Sequence, residues 1–336
     1  MSRLIAQKGL SLVEVMIALA LSALLLIGIF QIFNSNKQAF QLQDGYARVQ
    51  ESGRLAMEML NRDIRNAAYT GCSNGVNFNS IVEPSKYKAG IPDFDSSKGI
   101  VAYNNISSIA SGSELNNFGL TVGTASGQVI TGTDAIVIKG ASPCNGGKVV
   151  SYNQSSASFK IEDAKACGIS QNDIVVVSNC QYADMFAITN NPISGGASAD
   201  TVTHGANWNV SPPKLDGSYS NDSFLLRYTA KVYYVANGAN SRPSLFVTQL
   251  EGTTLVTHEL AEGISDMQFL MGEDSSGGDK SVDRFLEPED AALVIGRIVA
   301  VKTSFTLESE DNVLTVSGNP LTTTFQSVST LRNRVN

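Results

Sequence analysis

From Leu10 to Phe30 the chain runs for 21 residues without a lysine, arginine, aspartate, proline, asparagine or glutamine, and its one charge is Glu14. A helix of that length measures about 31 Å, enough to cross a bilayer core of roughly 30 Å. Such a segment is apolar on every side, so lipid or other helices must cover it, and the rest of the chain has to be arranged around that need. The leader before it, residues 1–9 (MSRLIAQKG), is short and made basic by Arg3 and Lys8. A general secretory signal is cut after its apolar region at small residues. Here Ser22-Ala23 is the only faintly suitable pair, and it falls mid-helix. An uncleaved signal anchor is the plain alternative. Glu14 argues against it, because an isolated carboxylate inside a bilayer costs about 3 kcal/mol and calls for a partner.

Beyond Phe30 the helical pattern continues without a proline to Ala68. Leu42, Tyr46, Val49, Gly53, Ala56, Leu60, Ile64 and Ala67 recur every three or four residues and form one stripe. Arg48, Glu51, Arg54, Glu58 and Arg62 occupy the opposite face, with Glu58 and Arg62 at the favourable i, i+4 spacing. The pattern predicts one helix of about 59 residues, nearly 90 Å if unbroken. Gly28 and Gly45 loosen it locally. Its stripe over residues 42–68 is expected to pack on the chain's own domain, whereas residues 10–35 reach past any such domain. Gly71 is placed to stop the helix, since a left-handed residue there needs no Cβ.

After residue 73 the period shifts from 3.6 to 2, and turn residues multiply. Strands are predicted at Ile100–Tyr103, Ala135–Lys139, Lys148–Tyr152, Ser158–Glu162, Asp173–Ser178, Phe224–Val235, Ser244–Gln249, Thr254–Glu259, Gly263–Met271, Gly296–Leu307, Val313–Val316 and Thr322–Val328. The fold class is therefore α+β, with a long N-terminal helix packed on a mostly antiparallel β domain. Residues 73–99 and 189–222 are long, polar and weakly patterned, and read either as disulfide-braced excursions or as mobile surface loops, the usual place for partner recognition.

The four cysteines, Cys72, Cys144, Cys167 and Cys180, all follow the apolar run. With the basic leader inside, they face the oxidising side and fit two disulfides. A hairpin turning at residues 153–156 brings Cys144 and Cys167 to its open end. Cys180 lies a strand's length from Cys167, which leaves Cys72 with Cys180 and ties the helix to the domain. No Cys-x-x-Cys pair favours a metal, and His204 and His258 have no second ligand at i+2 or i+4. The acidic stretch 272–283, with Glu273, Asp274, Asp279 and Asp283, lacks the ordered EF-hand run and is read as a solvated hairpin loop. No nucleophile elbow, phosphate loop or zinc-protease motif occurs, so the sequence points to no enzyme, cofactor or metal. A net charge of −7 disfavours a nucleic-acid partner.

Lys8-Gly9-Leu10-Ser11-Leu12-Val13-Glu14 resembles the processing motif of type IV prepilins and pseudopilins. The resemblance implies that a prepilin peptidase cuts between Gly9 and Leu10 and that Leu10 is then N-methylated. It also implies that Glu14 meets the terminal amine of a neighbouring subunit during assembly, where a buried anion gains a compensating cation. Many major pilins carry a kinking proline in this helix, and this chain has none. Residues 53–72 (GRLAMEMLNRDIRNAAYTGC) resemble the corresponding stretch of PilW-type minor pilins, with Arg54, Asp63, Arg65 and Gly71-Cys72 in matching places. The closing segments GISDMQFLMGED, GRIVAVKTSFTLESED and TTTFQSVSTLRNRVN resemble the same family, while residues 73–222 match only loosely, around DIVVVSNCQYADMF.

On that resemblance the domains are a cleaved leader (1–9), a transmembrane and assembly helix (10–30), its amphipathic continuation (31–70) and a periplasmic β-rich domain (71–336). The implied function is that of a minor pilin that helps prime type IV pilus assembly and stays at or near the tip. The implied partners are other minor pilins, the major pilin, the prepilin peptidase, the inner membrane before assembly, and a tip adhesin. A minor pseudopilin of a type II secretion system is the alternative, less favoured by the chain's length. A signal-anchored envelope enzyme or sugar-binding protein is less favoured again.

Overall fold

The computed structural model describes residues 11–72, 76–86, 91, 93–94, 98–194, 196, 199–309 and 319–335. Helix α1 (Leu12–Asn66) is continuous over 55 residues, as the proline-free pattern requires. Its first turn opens on Ser11, whose carbonyl accepts from the amides of Glu14 (3.0 Å) and Val15 (3.2 Å). Exposed ion pairs run along it, Arg48–Asp44 (3.0 Å), Arg54–Glu51 (2.9 Å) and Arg62–Glu58 (3.3 Å), each contributing only a few tenths of a kcal/mol.

The chain forms two compact units whose boundary falls within α1. The first comprises residues 1–50 and 309–321. Side chains from Leu12 to Phe40 are exposed there, apart from half-buried Gly28. Tyr46, expected on the packed stripe, is exposed too.

The second unit comprises residues 51–308 and 322–336, and it buries Gly53, Ala56, Leu60, Ile64 and Ala67 of α1. It holds two sheets. The ten-stranded sheet contains β1 (Asn77–Ser80), β2 (Ile100–Tyr103), β3 (Ala135–Asn153), β4 (Ser158–Ile161), β5 (Ile174–Ser178), β6 (Tyr182–Ala187), β7 (Thr201–Thr203), β8 (Phe224–Asn237), β9 (Pro243–Glu251) and β10 (Thr254–Glu262). Its main order is β1-β6-β5-β8-β3-β4-β7, with β9 on β8, β10 on β9 and β2 on β3. Among the named strands of the described residues, only β1 and β6 pair in parallel. The four-stranded sheet runs β12-β11-β13-β14, formed by β11 (Ile264–Glu273), β12 (Arg284–Leu286), β13 (Ile298–Glu308) and β14 (Thr322–Thr330), all antiparallel.

The run Ile-Val-Val-Val of β5 is apolar throughout because both faces of the large sheet are covered. Ile174 and Val176 enter one core cluster with Val137 and Tyr234, while Val175 and Val177 enter another with Phe159 and Phe186. Asp134, just before β3, bonds to β11 of the other sheet. Its carboxylate accepts from the amides of Asn105 and Phe269, both at 2.8 Å, and its own amide donates to the Met267 carbonyl.

Several elements differ from expectation. The separate strands 135–139 and 148–152 are one strand, β3, whose pairing with β8 is interrupted by a bulge between Pro143 and Lys148. The bulge lets β3 leave one partner and pair onward with β4. Strands β1, β6, β7 and β12 were not foreseen: three are short, and β6 buries Asp184 within its apolar run, which breaks the pattern. The helix stop is not Gly71. α1 ends at Asn66, and Ala68 takes the left-handed conformation (φ +60°) while its amide donates to the Lys139 carbonyl. Gly71 (φ +106°) instead permits close packing, since a Cβ there would lie 2.6 Å from that of Ser178. The predicted strand Val313–Val316 lies outside the described residues.

Candidate functional site

Gly9 and Leu10 lie outside the described residues, and Glu14 sits in the first turn of α1. A carboxylate at that end faces the positive pole of the helix dipole and free backbone amides. Around and beyond it the helix presents leucines, isoleucines and phenylalanines on all sides, and none of the most apolar 18-residue window is buried by the chain. A surface of that extent is stable only in lipid or among other apolar helices.

The second half of α1 is gripped. Asp63 Oδ2 accepts from Lys231 Nζ at 2.7 Å and from the Tyr233 hydroxyl at 2.6 Å, both on β8. Burial and the Asp63 charge push the Tyr233 phenol well up, so it remains a neutral donor. On the four-stranded sheet, Asn61 Nδ2 donates to Ser327 Oγ (3.0 Å), and the Phe325 ring lies against Gly53. A Cβ at Gly53 would come within 2.7 Å of that ring, so the close approach of helix and β14 requires glycine. At the helix end Asn333, in the short helix Arg332–Val335, donates to the Ala67 carbonyl at 3.0 Å.

Just past the helix, Cys72 and Cys180 are joined, with Cα atoms 5.2 Å apart. Cys144 and Cys167 form the second disulfide, with Cα atoms 4.7 Å apart. The first closes a separation of 108 residues and the second one of 23. By chain entropy these constrain the unfolded state by about 5 and about 3 kcal/mol.

The remaining candidate residues are held by their own surroundings. His204 is buried among the rings of Tyr152, Phe159 and Phe186, and loss of solvation pushes its pKa down to about 4. His258 is on exposed β10, 3.8 Å from Glu251. In the acidic loop, Glu273 is buried and paired with Arg284 at 2.8 Å. Asp274 accepts from Ser276 Oγ and from the Gly277 and Lys280 amides. Asp283 accepts from the Ser276 amide and Ser275 Oγ, and these bonds, like those of Asp274, hold the carboxyl below its ordinary range. Asp279 turns to Ser281. Among the described residues, no group of three metal-ligating side chains converges.

Three buried polar groups carried little or no sequence signal. Lys139 is fully buried in β3, with Nζ 2.9 Å from both Glu114 Oε1 of α2 (Glu114–Asn117) and the Asp93 carbonyl. A lysine inside the otherwise apolar run 135–141 was the only hint of it. Asp184 accepts from Asn79 Nδ2, the Asp216 and Gly217 amides and the Tyr219 hydroxyl, three of which come from the loop before β8. Asp134, described above, had no signal at all.

Residues 5–30 match the prokaryotic N-terminal methylation motif. Residues 232–334 match the family described as Type IV Pilus-assembly protein W. The second match contains Tyr233, Phe325, Ser327 and Asn333, four of the residues that hold α1. No significant match is found among curated proteins or solved structures. Over residues 5–30 the chain is thus similar to proteins bearing the N-terminal methylation motif, and over residues 232–334, which include strands that grip the helix, it is similar to the type IV pilus-assembly protein W family.

Proposed function

We propose that the chain is a minor pilin that helps prime type IV pilus assembly and remains at or near the pilus tip. A prepilin peptidase cuts between Gly9 and Leu10, and Leu10 becomes N-methylated. The protein first sits in the inner membrane, with its N-terminus cytoplasmic and its β domain periplasmic, and then passes into the extracellular filament. Its partners there are other minor pilins and the major pilin, through the helix; no turnover is involved.

The observation that carries this reading is the division of α1 into an uncovered apolar half bearing one carboxylate and a half locked to β sheet. Each leucine or phenylalanine left in water forgoes about 1.5–3 kcal/mol of burial. Lipid supplies that burial before assembly, and a bundle of like helices supplies it afterwards. Glu14 decides between the two: costly in lipid, it is neutralised when a neighbour's N-terminal amine lies beside it.

Deleting the gene and scoring piliation, twitching and exoprotein secretion tests the reading. Loss of pili and twitching with normal secretion is the expected result. Normal pili with failed secretion would assign the chain to a type II secretion pseudopilus instead.

A further inference from the structure

Strand β2 pairs with β3 along one edge, and among the described residues no strand pairs with the other. Beside it opens a cavity of about 270 Å³, lined by β2 itself, Met271, Leu293, Ile295 and Ile298. Pro288, Glu289 and Asp290 complete the lining, and Glu287 directly precedes them, so that this wall continues an acidic segment, Glu-Pro-Glu-Asp. Asn104, just past β2, anchors that wall: its side-chain amide donates to Glu287 (3.0 Å) and its backbone amide to Glu289 (3.3 Å). Ile295, in the lining, is 40% exposed.

A free strand edge beside an apolar cavity is how proteins capture an extended segment, the backbone giving ladder hydrogen bonds and the cavity taking alternate side chains. The charge of the wall selects the occupant. Glu287, Glu289 and Asp290 take hydrogen bonds from neutral donors only, and none of the three forms an ion pair among the described residues. A segment entering along β2 therefore passes three uncompensated carboxylates within four residues. We propose that the β2 edge and its cavity dock an extended, basic segment of a partner protein, which adds a strand to β2, inserts an aliphatic side chain between Leu293 and Ile298, and sets lysine or arginine against Glu287, Glu289 and Asp290. This docking is separate from the helix-borne contacts and does not depend on them.

The test uses the full-length chain in detergent and a fluorescein-labelled peptide of alternating lysine and valine. Two further peptides serve as probes: the same sequence N-methylated at alternate amides, which keeps charge but cannot form the ladder, and a glutamate–valine counterpart. Fluorescence anisotropy is expected to give at least tenfold tighter binding of the lysine–valine peptide than of either other probe. Glu289→Lys and Ile295→Asp should each weaken it at least tenfold, with melting temperatures checked against the parent. Phe224→Asp, at the exposed first residue of β8, should not change it. Equal binding of the N-methylated peptide would reduce the effect to net charge and overturn the proposal, as would undiminished binding by both groove variants. Self-association of the chain by sedimentation, lost in the same two variants, would assign the groove to a second copy and overturn the basic-partner assignment.

Discussion

Asp63 ties α1 to two side chains of β8, Lys231 and Tyr233. Lys231 and Tyr233 both donate to the same carboxylate oxygen in a partly buried setting, so removing the acceptor leaves an ammonium and a hydroxyl without a partner. Asp63→Ala is expected to lower stability by about 2–4 kcal/mol, and Asp63→Asn by less, read from urea unfolding. If Lys231→Met combined with Asp63→Leu proves no more stable than Asp63→Ala alone, desolvation is not the main cost. Two other groups make stability depend on pH with opposite signs. His204 titrates at about 4 in the fold against 6.5 in the unfolded chain, so the native state resists a proton that the unfolded state accepts. Its effect is absent above neutrality and destabilises progressively as pH falls from about 6.5 to about 4, by about 3 kcal/mol. Asp134 is pushed up to about 6 by burial, so its contribution is present below about 3.8 and is lost as pH rises through about 6. In the parent chain the two slopes offset each other between pH 4 and 6. His204→Phe should therefore gain stability on acidification across that window, and Asp134→Asn should lose it. Flat profiles in both variants would show that neither group is displaced from its ordinary titration.

At the scale of elements, α1 and β14 are held at a separation that only glycine permits at residue 53. Gly53→Val would push a side chain into the Phe325 ring, and a loss of about 1–3 kcal/mol is expected, recovered in part by Phe325→Ala. The disulfide Cys72–Cys180 acts just beyond the same helix. Replacing both cysteines by serine should cost about 2–5 kcal/mol in melts, and adding reductant to the parent should reproduce most of that loss. Much of this level was legible beforehand. The stripe Gly53, Ala56, Leu60, Ile64, Ala67 was readable because a half-buried helix has to repeat its apolar residues with the helical period. The strands with clear apolar runs, β5 and β8 above all, were readable because a strand covered on both faces shows a near-continuous run of apolar and β-branched residues. Strands β1, β7 and β12 were not, because three or four residues carry no period, and β6 was hidden by Asp184, whose charge is acceptable only because a distant loop supplies its donors. The helix stop was misplaced by several residues because the residue that ends α1, Ala68, bonds to β3, and no local signal encodes that bond.

For the whole molecule, the decisive feature is that one helix serves two environments. Glu14→Ala is expected to leave leader removal largely intact while reducing incorporation into pili, measured as the ratio of mature protein in sheared filaments to that in membranes. Unchanged incorporation would sink the proposed role of the carboxylate. Mass spectrometry of the mature chain should find an N-methylated Leu10, and a retained Met1 in functional filaments would refute processing at Gly9. The sequence by itself determined the apolar run, its lone carboxylate, the unbroken helix and the α+β class, because these rest on composition and period, which act between near neighbours. Only the tertiary structure decided that Asp63 is the helix lock, that β3 is one bulged strand, that Lys139, Asp134 and Asp184 are buried, and that among the described residues β2 keeps a free edge beside an acidic wall. Each of those depends on groups far apart in the chain meeting in space, and burial of a charge becomes tolerable only once its partner has arrived.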